Sequence, residues 1–310
     1  MQGVLTGFAI IFAVIATGYL LARTGVINGD RERLVLNRIA FYAATPALLF
    51  TVVAESDPAQ LLSPVIVVSF LATLLTAAVY CVVSVLFFRA DLPRTAIGAA
   101  ASAYVNSNNI GLPVSMYVLG TGAYVAPVLV MQMVVFAPLI LAALTSGGQG
   151  RSRASKSWGA LKGSLLSPIV LGSIAGLFVC LSGVRLPAVV MEPAGILGGA
   201  SIPLILISFG ASLPATRVLT SRADRAGVLT ATGIKIAVMP VLAWLIGLGA
   251  GLSGDQLYAA VILAALPTAQ NVYNYAATYR KGEILARDTV FLSTFLALLS
   301  MLAIALVFGR

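Results

Sequence analysis

The sequence predicts an all-α integral membrane protein of ten transmembrane helices, built as two inverted five-helix repeats. Three observations carry this expectation. The 310 residues are 60% hydrophobic and only 9% charged, with a mean hydropathy of +1.02. The apolar residues gather into runs of about 17–25, the length that crosses a hydrocarbon core. Two of these runs, in matching positions of the two halves, carry amides and a proline where a spanning helix would be unbroken. Lipid tolerates an interrupted backbone only where protein or a water-filled cavity covers it, and paired interruptions of this kind point to a transport site.

The runs fall at residues 3–22, 34–53, 61–88, 95–118, 123–144, 164–182, 194–212, 226–249, 256–278 and 288–308. The first follows Met1-Gln2-Gly3 with no basic region and no small-residue cleavage motif, and it is longer than a signal peptide's apolar core, so a retained helix is expected. In the second, Asn37 and Arg38 fall in the first turns and read as interfacial, while Tyr42, Thr45 and Pro46 suit a cavity lining or plain packing. Gln132 in the fifth run suits a bond to another helix. The segment 145–163 is the longest loop, polar and basic, and no loop is long enough to form a soluble domain. Small residues in Gly195-Ile196-Leu197-Gly198-Gly199-Ala200 predict close helix contact, within one chain or across a dimer. Cys81 and Cys180 lie in different runs and read as small buried hydrophobes.

Charge fixes the expected orientation. Loops after the odd-numbered runs, with their flanks, hold Arg23, Arg31, Arg33, Arg38, Arg89, Arg94, Arg151, Arg153, Lys156, Lys162, Arg217, Arg222, Arg225, Arg280, Lys281 and Arg287, which is 16 of the 19 Lys and Arg. The other side holds Arg185 and Arg310, and Lys235 lies inside a run. The positive-inside rule therefore puts both termini outside the cytoplasm of a multi-pass protein of the cell (inner) membrane. The net charge of +9 follows from this asymmetry and does not imply nucleic-acid binding.

The halves, 1–155 and 156–310, resemble each other. Pro46 in Ala44-Thr45-Pro46-Ala47 matches Pro203 in Ser201-Ile202-Pro203-Leu204, an offset of 203 − 46 = 157, and Pro113 and Pro267 are 267 − 113 = 154 apart. Five helices in each half force opposite insertion, which defines an inverted repeat.

The interrupted segments are Asn106-Ser107-Asn108-Asn109-Ile110-Gly111-Leu112-Pro113 and Pro267-Thr268-Ala269-Gln270-Asn271-Val272-Tyr273-Asn274. Together they resemble the auxin efflux carrier family of secondary transporters. The fourth span of that family ends an Asn-rich break in Gly-Leu-Pro, and its ninth carries a proline followed by small and polar residues. Asn108 departs from the pattern, which commonly has a small residue there, and the short loop between spans 5 and 6 is similar to bacterial members. The resemblance implies crossing helices 4 and 9. It also implies a scaffold of helices 1, 2, 6 and 7, with helices 3–5 and 8–10 forming a mobile transport domain that moves as an elevator. A homodimer is implied as well.

A broken helix frees N–H groups that favour anions. Asn106, Ser107, Asn108 and Asn109 at one break, and Gln270, Asn271 and Asn274 at the other, add donors that do not titrate. These are the candidate substrate-binding residues, unless they only satisfy the backbone of the breaks. Gly111 permits close backbone approach, and Pro113 and Pro267 keep the helical ladder from closing. Lys235, near the middle of the eighth run, is the remaining candidate. A central lysine costs at least about 2.5 kcal/mol and faces a partner or water, yet all ten acids lie in loops or near run ends. Three roles stay open for it: an electrostatic partner for an anionic substrate, a cap on carbonyls freed at a break, or a neutral buried amine.

The expected function is secondary transport of a small organic anion such as a carboxylate, most simply as export by elevator-type alternating access. The alternatives are a sodium-coupled symporter of the bile-acid carrier type and a carrier of a neutral or cationic solute. An enzyme is not expected. The chain has no histidine, no central carboxylate pair and no cysteine cluster, so metalloprotease and aspartyl chemistry lack their groups, and a Ser–Lys dyad would leave the two breaks unexplained. No cofactor or structural metal is expected. Sodium or proton coupling stays open, with sodium needing neutral oxygens and a proton needing Lys235 or the substrate. The expected partners are the organic anion, membrane lipid and a second copy of the chain.

Overall fold

A computed structural model describes residues 2–58, 63–145, 166–213 and 218–310. The basic loop 145–163, which holds Arg151, Arg153, Lys156 and Lys162, falls almost wholly outside the described residues, as does the boundary between the two expected halves. The described residues are mostly helical, with no strand among them beyond one isolated bridge. Among the described residues twelve helices can be traced: α1 (Gln2–Arg23), α2 (Arg31–Ala54), α3 (Val65–Phe88), α4 (Leu92–Ala103), α5 (Leu112–Tyr117), α6 (Val125–Leu144), α7 (Pro168–Ser182), α8 (Ala188–Ser212), α9 (Arg222–Gly249), α10 (Gly254–Ala265), α11 (Gln270–Tyr279) and α12 (Glu283–Val307). Six of them, α2, α3, α6, α8, α9 and α12, are long and apolar enough to cross a membrane. The fourth and ninth apolar runs are each two helices, α4 with α5 and α10 with α11. The second run begins earlier than expected, so Asn37 and Arg38 sit beyond its first turns, though both are exposed.

Prolines shape these helices in a repeated way. Widened π turns at Ala40–Ala44, Ser107–Gly111, Gln132–Phe136 and Ile234–Val238 each end two residues before a proline: Pro46, Pro113, Pro138 and Pro240. A proline ring collides with the carbonyl four residues back and offers no N–H to it. Inserting one residue into the preceding turn lets the helix continue.

The chain forms two compact units. The first comprises Met1–Leu62, Leu112–Val130 and Leu165–Thr216. Here α1 packs on the second half of α8, and the second half of α2 packs on α7. Both contacts are close enough to need glycine. A Cβ on Gly210 would lie 1.9 Å from the Ile15 carbonyl oxygen, and one on Gly172 would lie 2.5 Å from that of Pro46. Thr45 Oγ1 and Ser201 Oγ, from the two matched Pro46 and Pro203 segments, share a buried hydrogen bond of 2.7 Å. Tyr42 instead faces outward, 65% exposed. Gly198 packs against the backbone at Leu48, while Gly195 and Gly199 have no heavy atom within 4 Å of a would-be Cβ. Cys180 is only half-buried, with its thiol 3.1 Å from the Ser56 carbonyl oxygen, and Cys81 of the second unit is half-buried too, so neither is the fully buried hydrophobe expected.

The second unit comprises Ser63–Gly111, Met131–Ser164 and Arg217–Arg310. Its core joins Tyr80, Ile97, Ala101, Val228, Val272 and Leu285. The Tyr80 ring fills the space over Gly98. Ser84 and Thr95 share a buried hydroxyl–hydroxyl bond of 2.8 Å. At the basic end of this unit Arg94 pairs with Asp224, and the buried Asp288 accepts from the Leu219 N–H at 2.8 Å and from Arg287 at 2.8 Å. Asp288 therefore lies deeper than its place near a run end suggests, although its oxygens are satisfied locally.

Candidate functional site: two helix breaks paired in antiparallel

Both breaks lie within the second unit, and they pair with each other. Tyr104 ends α4 in an extended conformation, as do Leu266 and Ala269 on either side of the second break. Val105 and Thr268 form an antiparallel bridge. Asn106 N–H donates to the Pro267 carbonyl at 2.8 Å, and Ala269 N–H donates to the Tyr104 carbonyl at 3.0 Å. The crossing of the two interrupted runs is thus a direct backbone contact. The break of the fourth run falls at Tyr104–Asn106, upstream of Gly111 and Pro113. Gly111 closes the π turn, and Pro113 sits in the first turn of α5. Pro267, by contrast, lies in the crossing itself. The pairing matches residues 163 apart (268 − 105), so Pro113 and Pro267 are not opposite numbers at the crossing.

The backbone groups freed by the breaks can be followed one by one, as buried peptide groups must find partners. Ala101 O, which an unbroken helix would offer to Val105, accepts from Thr268 Oγ1 at 2.5 Å. Ala264 O, the carbonyl Thr268 N–H would take in an unbroken helix, accepts from Lys235 Nζ at 2.7 Å, because that N–H is bound to Ser293 Oγ at 3.0 Å. Val105 O accepts from Gln132 Nε2 at 2.9 Å, and Gln132 Oε1 accepts from Ser107 Oγ at 2.8 Å. Asn106 Oδ1 caps the π turn by accepting from Asn109 N–H at 3.0 Å. The first turn of α11 has no side-chain cap, leaving N–H groups at Gln270 and Asn271 free of helical partners.

The candidate residues take up distinct places. Asn106 and Ser107 are buried and bonded into the break. Asn108 and Asn109 are half-buried and joined by a 2.9 Å amide–amide bond, which leaves the buried Asn108 Oδ1 without a partner. Inverting both amides preserves their mutual bond and turns that free acceptor into a free donor. Gln270 is half-buried, and Asn271 and Asn274 are exposed within the unit. The Asn271 and Tyr275 side chains lie near the Tyr104 hydroxyl at the end of α4. Lys235 is fully buried, bonded to Ala264 O and to Met239 Sδ at 2.9 Å, and it contacts none of the candidate amides by a described hydrogen bond.

Of three residues that hold the crossing, the sequence assigns no role to Thr268 and Ser293 and only a general one to Gln132. Thr268 stands inside the second segment, and a β-branched hydroxyl next to a helix-breaking proline was its available signal. Gln132 was legible as a bond between helices, but its target was not. Ser293 carried no signal, since serine is ordinary in membrane helices. No group of three or more metal-ligating side chains occurs among the described residues.

A ten-run apolar chain whose amide-rich breaks are paired in this way has the makings of a membrane carrier, and comparison with known proteins places it among them. Residues 4–159 and 158–305 match the membrane transport protein family, the auxin efflux carriers, and the chain belongs to that family. It is a multi-pass membrane transporter and not an enzyme. Over 294 residues it is 26% identical to a Rhizobium meliloti (strain 1021) protein named "Putative malonate transporter", covering 92% of this chain and 90% of that protein. Over 297 residues it is 27% identical to an uncharacterized transporter of Methanothermobacter thermautotrophicus, covering 94% of each. An uncharacterized transporter of Escherichia coli (strain K12) is 24% identical over 275 residues, 84% of this chain and 83% of that protein.

Proposed function

We propose that this transporter carries a small organic anion, a mono- or dicarboxylate of the size of malonate, through a site at the antiparallel crossing of its two helix breaks. The observation that carries the reading is the Val105–Thr268 pairing, which gathers the amides of 106–109 and the uncapped first turn of α11 into one unit. Free N–H groups at a helix start favour negative charge. The described hydrogen bonds at the crossing use backbone, hydroxyl and amide groups and the Lys235 amine, with no carboxylate to repel an anion. The name of the Rhizobium relative agrees with this substrate class.

In this proposal the chain has ten membrane helices in two inverted repeats. The contacts of Gly210 with Ile15 and of Gly172 with Pro46, and the Thr45–Ser201 bond at a separation of 156, fit such a duplication. Helices 1, 2, 6 and 7 serve as scaffold, helices 3–5 and 8–10 carry the site in an elevator movement, and both termini face away from the cytoplasm. A second copy completes a dimer. Outward movement of an anion is favoured by a negative-inside potential, about 2.3 kcal/mol per charge at 100 mV.

The test is thermal stability of the purified protein against small carboxylates, amino acids and organic cations, because a ligand that binds the folded state stabilises it by RT ln(1 + [L]/Kd). A shift with malonate or a near relative, lost on Asn109→Ala and Asn271→Ala, is expected. A shift confined to neutral or cationic solutes would overturn the anion assignment.

A further inference from the structure

The two helix ends at the crossing are capped unequally. Ala101 and Ala264 occupy matching places, four residues before Val105 and Thr268 of the bridge, so each carbonyl faces the same gap in its own helix. At Ala101 the gap is filled by a neutral hydroxyl, Thr268 Oγ1. At Ala264 it is filled by an amine, Lys235 Nζ. The C-terminal end of a half-helix carries partial negative charge, and carbonyls exposed there are where transporters with interrupted helices hold a coupling cation. Lys235 is fully buried, forms no ion pair among the described residues, and has as its two partners that carbonyl and the Met239 thioether, a soft, weak acceptor.

We propose that Lys235 is a resident cation: its ammonium occupies, by a covalent tether, the monovalent-cation position at the C-terminal end of α10, so that the transport cycle needs no sodium. The geometry fits, since the 2.7 Å Nζ···O contact has the length of a charge-assisted bond. Lys235 is a positioning residue in this view. It holds the α10 end, through Ala264 O, four residues before Thr268 of the crossing. This goes beyond the anion reading by fixing the coupling, and it rests only on the transporter assignment and the crossing.

The test uses no organic substrate, so its failure is separable from that of the carboxylate reading. Thermal unfolding of the purified full-length protein is followed in sodium, lithium, potassium or choline chloride at constant ionic strength. The wild type should unfold at the same temperature in all four, within about 1 °C. Lys235→Ser removes the ammonium and leaves room at Ala264 O. It should be destabilised in choline and regain about 3 °C or more in saturating sodium or lithium. If Lys235→Ser does not accumulate, Lys235→Gln serves the same comparison, and recovery of folded protein in sodium but not in choline counts as the gain. A saturable sodium-specific stabilisation of the wild type would overturn the proposal. So would neutral variants that fold and unfold identically in every salt.

Discussion

Val105 and Thr268, both buried, face each other in an antiparallel bridge within the second unit, each standing where its own helix has been interrupted. The bridge satisfies peptide groups that neither helix can satisfy alone, through Asn106 N–H to Pro267 O and Ala269 N–H to Tyr104 O. In hydrocarbon an orphaned peptide group costs several kcal/mol. Each break is therefore stable only in the presence of the other.

Thr268 contributes both its backbone and its hydroxyl to this arrangement. Thr268→Val keeps shape and removes the donor to Ala101 O, leaving a buried carbonyl unpaired. The expected loss is about 1–3 kcal/mol, read as a lower unfolding temperature. Thr268→Ser should recover most of it, because the hydroxyl is restored.

Gln132 joins two parts of the first break, accepting from Ser107 and donating to Val105 O. Gln132→Leu and Ser107→Ala should each lower stability and transport. In a double-mutant cycle their coupling should reach about 0.5–1.5 kcal/mol, within the range of hydrogen bonds between membrane helices. A coupling of zero would mean that the two side chains act independently.

The fold of the first unit depends on glycine where helices touch. Gly210→Leu would drive a side chain into the Ile15 backbone, and the protein should fail to accumulate or unfold well below the wild type. Gly199→Leu, with open space around a would-be Cβ, should be tolerated in the isolated chain. Comparing the folded yield of the two in detergent checks this directly.

Thr45 and Ser201 offer a test of how a buried pair behaves. Ser201→Ala alone leaves the Thr45 hydroxyl to find another partner and should cost about 1 kcal/mol, while Thr45→Val combined with Ser201→Ala should cost less than the two single changes added together. Additive losses would show that the bond is not shared.

Much of this was legible in the sequence. Apolar run length exposed the membrane class, and the segments at Asn106 and Pro267 announced themselves because amides and prolines are out of place in a lipid-crossing helix. The prolines misled in one respect. The sequence puts the interruption of the fourth run at Asn106–Pro113, with Gly111 and Pro113 as its breaking residues, whereas a π turn at Ser107–Gly111 precedes the proline and the chain is interrupted earlier, at Tyr104–Asn106. Local sequence could not reveal this, since what opens Val105 is pairing with a residue 163 positions away. Lys235 stood out as a buried charge, and capping of a freed carbonyl was among its readings, but Ala264 as the carbonyl was not legible. Asn106 is a candidate for ligand contact or for satisfying the backbone of the break, and its oxygen does the second by capping its own turn.

Counterflow of labelled malonate in proteoliposomes tests the central claim most directly. The account predicts saturable accumulation of label into vesicles preloaded with unlabelled malonate, cut at least about tenfold by Asn271→Ala, equivalent to the loss of about 1.4 kcal/mol of interaction. Accumulation unaffected by substitutions at both Asn109 and Asn271, or counterflow seen only with neutral or cationic solutes, would contradict a carboxylate site at the crossing.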